Sequence, residues 1–323
     1  MSAIQLSSVT KRFGDVEAVR DLDLTVETGE IYGFLGPNGA GKSTTINMLL
    51  DFVRPTEGTV TVLGEPVGDA GAALRERIGV LPEGFDVYSR LSGRKHVEFA
   101  IESKAAADDP DEILDRVGLG EAADRPAGGY SKGMRQRLAL GMALVGEPEL
   151  LILDEPAAGL DPAGAKEMRA IVRAEAARGA TVFFSSHVLG QVEAVCDRVG
   201  ILHEGELKAE DSIDGLRDAS GAEETLILTV DDATDDDLDP VRAIDGVSGA
   251  AVDGTMVTVA CESGVKSDAI ATLGEAGVEI RDIETESTSL EELFLSYTDG
   301  EGVVERDDTQ SGGRAAPTPE GGQ

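Results

Sequence analysis

Short apolar runs bounded by glycine-rich or polar turns recur through the first two-thirds of the chain. Ile31 to Leu35, the stretch IGVLP (78–82), LLILDEP (150–156) and the segment entering FFSSH (183–187) each read as a strand. Their lack of polar interruption implies burial on both faces, as in a parallel sheet covered on either side. Helix-like segments lie between them, including Thr45 to Leu50 and a stretch from Met134 through Met142. Residues 1 to about 217 therefore read as an α/β domain. After Leu216 the texture changes. Strand TLILTV (225–230) gives way to an acidic loop, DDATDDDLDP, and a short helix, Val241 to Ile244. Strands GAAVD and TMVTVA meet at Asp253-Gly254, a helix runs near Val265 to Ala276, and VEIRDIE (278–284) follows. That order, β-α-β-β-α-β, is the order of a ferredoxin-like fold. An amphipathic turn, SLEELFLSYT, ends the accessory unit at 224–297, and the Gly-, Pro- and charge-rich residues 298–323 read as a disordered tail.

Charge alters the picture most. The chain has 62 acids against 28 bases, a net charge of −34 and a pI of about 4.3. Such a surface argues against nucleic acid as a partner. It repels itself in dilute buffer, and in molar salt the screening length falls to about 3 Å and relieves that repulsion. The composition points to a salt-accumulating, halophilic source. Cys196 and Cys261 are too few for a disulfide framework and lack metal spacing, and the three histidines are scattered. No apolar run reaches the ~18 residues of a membrane span, and the N-terminus lacks a leader pattern. The expectation is a cytoplasmic chain, peripheral at the membrane only through a partner.

The chemistry concentrates at the ends of the apolar runs. GPNGAGKST (36–44) matches G-x-x-x-x-G-K-S with a strand before it and a helix after it. Gly36, Gly39 and Gly41, with Pro37, Asn38, Ala40 and Thr44, form a loop whose N–H groups can turn toward phosphates. Lys42 offers a point charge to the β and γ phosphates, and the Ser43 hydroxyl is placed for Mg²⁺. Asp154 and Glu155 end a strand buried on both faces. There Asp154 suits Mg²⁺, and Glu155 suits polarisation of an attacking water. A second phosphate-binding element is YSKGM (130–134), where Ser131, Lys132 and Gly133 open a helix whose N-terminus favours an anion.

Together these motifs over residues 1–217 resemble the nucleotide-binding subunit of an ATP-binding-cassette (ABC) transporter, a P-loop ATPase with a helical subdomain. The resemblance implies ATP and Mg²⁺ as cofactors and a homodimer stacked head to tail on two ATP molecules. It also implies a separate transmembrane permease driven by that closure. In such a dimer Ser131, Lys132 and Gly133 cap the ATP of the partner subunit, which explains the second phosphate element. Lys132 either assists that loop or is simply solvated. By the same resemblance Phe13 stacks on adenine (the alternative being a packing residue at a strand end), His187 touches the γ-phosphate, and Asp161 of AGLDP links across the dimer seam. Two positions depart from the family pattern. Glu83 replaces the usual Gln toward Mg²⁺, adding charge and losing a donor, and Tyr130, Lys132 and Met134 replace Leu, Gly and Gln of the signature. Both departures resemble the drug- and antibiotic-exporter branch. The competing reading is a soluble, non-transport ABC ATPase acting on ribosomes or DNA. A further reading makes 224–297 a ligand sensor, against a dimer-stabilising or packing role.

Overall fold

The computed structural model describes residues 1–68, 71–219 and 224–286. The first strands are β1 (Ser2–Phe13), β2 (Val16–Glu27), β3 (Ile31–Leu35), β4 (Glu57–Val62) and β5 (Glu65–Pro66). They are followed by β6 (Ile78–Leu81), β7 (Leu150–Asp154), β8 (Thr181–Ser186), β9 (Arg198–His203) and β10 (Glu206–Ser212). An antiparallel sheet in the order β2-β1-β4-β5 lies beside a central sheet in the order β10-β9-β3-β8-β7-β6. The central sheet is parallel throughout, except for β10, which returns antiparallel to β9 at the edge.

Alternation along the central strands explains their unbroken apolar sequence. Tyr32, Phe34, Leu150, Ile152 and Phe183 share a core with the antiparallel sheet and with Ile46, Met48 and Leu49 of helix Lys42–Leu49. Their strand neighbours Leu35, Leu151, Leu153, Val182 and Phe184 face a second core with helices Lys132–Leu144 and Pro162–Ala177. Gly33 allows this packing, because a Cβ there would come within 2.4 Å of Val192 Cγ1. Helices Gly93–Lys104 and Pro110–Arg116 join Lys132–Leu144 to form the helical subdomain, around Val97, Ile113, Leu114 and Leu138. The signature helix thus starts at Lys132 rather than Met134 and runs to Leu144, because Ser131 supplies the cap.

The C-terminal strands are β11 (Glu224–Val230), β12 (Val247–Asp253), β13 (Met256–Cys261) and β14 (Ile280–Glu286), with helix Lys266–Glu275 between the last two. Their order β12-β13-β11-β14, antiparallel throughout, is the ferredoxin-like arrangement. Leu226, Leu228, Val257 and Val259 pack there against Ala269 and Leu273. The acidic stretch after β11 is not the open loop its composition implies. A 3₁₀ turn, Asp235–Leu238, leads into helix Asp239–Arg242. The Asp237 carboxylate accepts from the Thr234 N–H and hydroxyl, Arg242 pairs with Asp235 and Asp239, and Leu238 and Val241 are fully buried. Two apolar residues at helical spacing outweigh six nearby acids once Arg242 lies among them. SLEELFLSYT and residues 298–323 fall outside the described residues.

Candidate functional site

The phosphate loop joins β3 to helix Lys42–Leu49, and close approach dictates its glycines. A Cβ on Gly36 would lie 2.5 Å from the Leu202 carbonyl oxygen. One on Gly41, at φ +112°, would lie 2.6 Å from the Ala18 oxygen. Only a residue without a side chain fits such contacts. Lys42 is buried beneath this loop. Its ammonium donates to the carbonyls of Gly36 at 2.6 Å and Pro37 at 3.3 Å, and stands 3.9 Å from Glu155 Oε1. Burial holds its pKa below the usual lysine value, an effect opposed by Glu155, Asp154 and Glu83.

Asp154 and Glu155 are only 7% and 5% exposed, so neither is a carboxylate merely solvated at a strand end. Asp154 Oδ1 accepts from the Ser185 hydroxyl at 2.5 Å. Glu155 adopts φ +49°, an unfavourable conformation for a residue with a side chain. Its N–H offsets that cost by donating to Ser185, reaching the carbonyl and the hydroxyl oxygen at 3.2 Å each. The turned backbone brings Glu155 Oε1 within 2.8 Å of His187 Nδ1, while the Ser186 hydroxyl lies 3.4 Å from Oε2. His187 itself is half-exposed, just beyond the end of β8.

Lys42, Ser43, Thr44, Pro37, Asn38, Gly39, Gly41, Glu83, Asp154 and Glu155 line one open cavity of 140 Å³. Gly36 and Ala40 lie beneath it as buried parts of the loop. The donor set facing Ser43, a hydroxyl with the Asp154 and Glu83 carboxylates, fits Mg²⁺. That ion takes one or two protein oxygens and completes its shell with water and substrate phosphates. Phe13 ends β1, 49% exposed, with the Lys11 ammonium 4.9 Å from its ring centroid.

The signature residues stand apart. Ser131, Lys132 and Gly133 line no part of the cavity formed by their own chain's phosphate loop. Ser131 Oγ caps the helix by accepting the Met134 N–H at 3.2 Å. Tyr130 turns inward and donates to the Ala122 carbonyl at 2.7 Å. A Cβ on Gly133 would make only van der Waals contact, with Leu160 Cδ2 and Ser131 Oγ at 4.0 Å. The Lys132 ammonium rests over Gly159, in the AGLDP loop. Asp161 caps the next helix, accepting the Gly164 N–H at 2.7 Å.

Sequence reading missed Ala18, Ser185 and Ser186. The serines lie in the quoted FFSSH, but only the β7–β8 pairing, with Asp154 opposite Ser185, gives them partners.

A parallel α/β sheet with a phosphate loop, a paired acid strand and a separate signature helix defines an ABC-type ATPase. The ABC transporter family model matches residues 19–158. The chain is 42% identical over 220 residues to the bacitracin transport ATP-binding protein of Bacillus licheniformis, covering 66% of this chain and 71% of that one. It is 33% identical to a daunorubicin resistance ATP-binding protein of Streptomyces coeruleorubidus over 308 residues, covering 92% and 96% respectively. A solved structure of an ABC transporter ATP-binding subunit superimposes with a TM-score of 0.62 at 28% identity, over 68% of this chain and 94% of that one. The chain belongs to the ATP-binding subunits of ABC transporters, among relatives of the drug- and antibiotic-resistance type. It is an ATPase, and no helix among the described residues is long and apolar enough to cross a membrane.

Ser185→Ala removes the hydroxyl that serves both Asp154 and Glu155. We expect a loss of about 1–3 kcal/mol in unfolding free energy, read as a lower denaturant midpoint at unchanged slope. A midpoint equal to wild type would show that the serine supports neither carboxylate.

Proposed function

We propose that two copies of this chain close head to tail on two MgATP molecules and drive a separate membrane permease in the direction of export. The observation that carries this reading is the separation of the two phosphate elements. The helix N-terminus capped by Ser131 lines no part of its own chain's nucleotide cavity. The γ-phosphate of ATP held by a second copy would meet this helix end. ATP then acts as the adhesive, and hydrolysis loosens the pair. Within each site the loop 36–44 grips the triphosphate and Phe13 stacks on the base. Ser43, Asp154 and Glu83 would hold Mg²⁺, whose charge would offset that of the phosphates. Glu155 takes the proton of the attacking water, His187 steadies Glu155 and the γ-phosphate, and Asp161 links across the seam. Ser131, Lys132 and Gly133 serve the partner's ATP. Residues 1–217 form the ATP-binding unit and 224–297 the accessory unit, with 298–323 as a tail.

The membrane partner has a candidate seat. An apolar groove of 290 Å³ is lined by Leu81, Phe85, Phe99, Ala139 and Met142, and Phe85 and Phe99 are exposed. It lies beside Glu83, which would couple a permease segment in the groove to the nucleotide. Export follows the names of the relatives, which are bacitracin transport and daunorubicin resistance proteins. Membrane contact is thus peripheral and through the permease, on the cytoplasmic side. The net charge of −34 disfavours the alternative of a factor working on ribosome or DNA.

Glu155→Gln is expected to retain MgATP while hydrolysis slows by about 10²–10⁴-fold. Turnover within twofold of wild type would remove Glu155 from the role of base. Lys42→Ala and Gly133→Asp test the seam. Each homodimer has both sites broken, whereas a mixed dimer has one doubly damaged site and one intact. ATP-dependent dimerisation should therefore return only on mixing. If mixing restores nothing, or Gly133→Asp alone keeps wild-type turnover, the head-to-tail reading fails. Salt adaptation predicts a higher melting temperature in molar KCl than in dilute buffer, through screening of the acidic surface. An unchanged or lower value in KCl would contradict it.

A further inference from the structure

His96 is a buried titratable group that none of the chemistry above uses. It lies in the first turn of helix Gly93–Lys104 and is 1% exposed. Backbone groups engage both ring nitrogens. Nδ1 lies 2.8 Å from the Ser92 carbonyl oxygen and so carries the proton it donates. Nε2 accepts the Tyr88 N–H at 2.9 Å. One tautomer satisfies both contacts, and its partners fix it. The Tyr88 ring stacks near the imidazole, with centroids 6.1 Å apart, yet the tyrosine is largely exposed.

The segment held by His96 connects the separate parts of the proposed machine. Residues 82–92 begin beside Glu83, on the nucleotide cavity. The Phe85 N–H folds back onto the Pro82 carbonyl at 3.4 Å, and Val87 is anchored in the core. Beyond Tyr88, the carbonyls of Ser89 and Leu91 accept from the N–H groups of Gly128 and Ala127 at 2.9 and 2.8 Å, just before the signature. Phe85, Tyr88 and Leu91 all face outward. One strap therefore runs from the nucleotide cavity, past an exposed aromatic face, to the support of the signature helix. At its midpoint a side chain, His96, takes the place of a backbone partner.

We propose that His96 is a positioning residue. Its imidazole clasps the strap at Tyr88, so that displacement of the Phe85–Tyr88 face moves Glu83 rather than dissipating in a loose loop. The proposal rests on the reading of Glu83 as a nucleotide-facing group given above. His96→Phe keeps the ring and removes the acceptor, whereas the Oε1 of His96→Gln can still receive the Tyr88 N–H.

The test uses the full chain as wild type, His96→Phe, His96→Gln, Glu83→Ala and the double variant Glu83→Ala/His96→Phe. Hydrogen exchange at the Tyr88 amide is followed without nucleotide, and MgATP turnover is measured separately. We expect His96→Phe to speed Tyr88 exchange and lower kcat, each by about fivefold or more, the scale of one lost hydrogen bond. His96→Gln should restore most of both. In the Glu83→Ala background His96→Phe should lower kcat no further, because a residue acting through Glu83 has nothing left to act on. Unchanged Tyr88 exchange in His96→Phe overturns the clasp. Losses that multiply in the double variant, or a Gln variant as impaired as Phe, reduce His96 to general packing and also overturn the proposal. Wild-type turnover by Glu83→Ala removes the reading of Glu83 and the transmission with it. That outcome is distinct from failure of the clasp, which Tyr88 exchange reports alone.

Discussion

Two adjacent carboxylates buried at the end of β7 impose the central electrostatic constraint on this protein. Asp154 and Glu155 lie where the sheet excludes most water, so each needs donors or a cation within reach. Lys42 is the nearest cation, and it is itself buried, drawn down by the carbonyls of Gly36 and Pro37. The phosphate loop and the acid pair therefore balance one another past the end of β8, which lies between β3 and β7. In the proposed site a triphosphate would give Lys42 anionic partners, and Mg²⁺ would give the carboxylates a cation. The positive φ of Glu155, tied down by Ser185, aims one carboxylate oxygen at His187 rather than along the strand direction.

The same scarcity of positive charge shapes the surface. With 28 bases for 62 acids, individual arginines serve several carboxylates. Arg77 pairs with Glu65 and Glu149, Arg198 with Glu30 and Glu210, and Arg242 with Asp235 and Asp239. Most of these pairs are at least partly exposed, where each contributes at most about 1 kcal/mol and screening weakens it. Arg242 lets the acid-rich stretch 231–240 fold locally, whereas Arg77 and Arg198 tie segments far apart in sequence. Glu175 differs. It is buried and held by both Arg116 and Arg178, so removing both arginines would strand a charge.

The strap from Glu83 to the turn before Tyr130 gives the helical subdomain a defined hold on the nucleotide cavity. Its bonds are backbone to backbone at Ser89 and Leu91, and backbone to side chain at His96. A connection made this way is held along its length, unlike a loop anchored only at its ends.

Much of the site was legible in the sequence because its chemistry is local. The spacing of Gly36, Gly41, Lys42 and Ser43, the acids ending an apolar run, and the signature at 130–134 are contiguous patterns. Backbone geometry makes such patterns specific. Apolar runs without polar interruption likewise determined a sheet buried on both faces, and the element order of 224–284 determined the ferredoxin-like arrangement. Tertiary structure decided what depends on register and approach between distant segments. Asp154 meets Ser185 only because β7 pairs with β8, and Gly41 must be glycine because the Ala18 carbonyl passes beside it. His96 finds Tyr88 through a loop that no periodicity describes. Helix formation within DDATDDDLDP depended on burial of Leu238 and Val241 against the C-terminal sheet. Composition argues from average solvation, whereas a fold supplies particular partners, and there the partners outweighed the average.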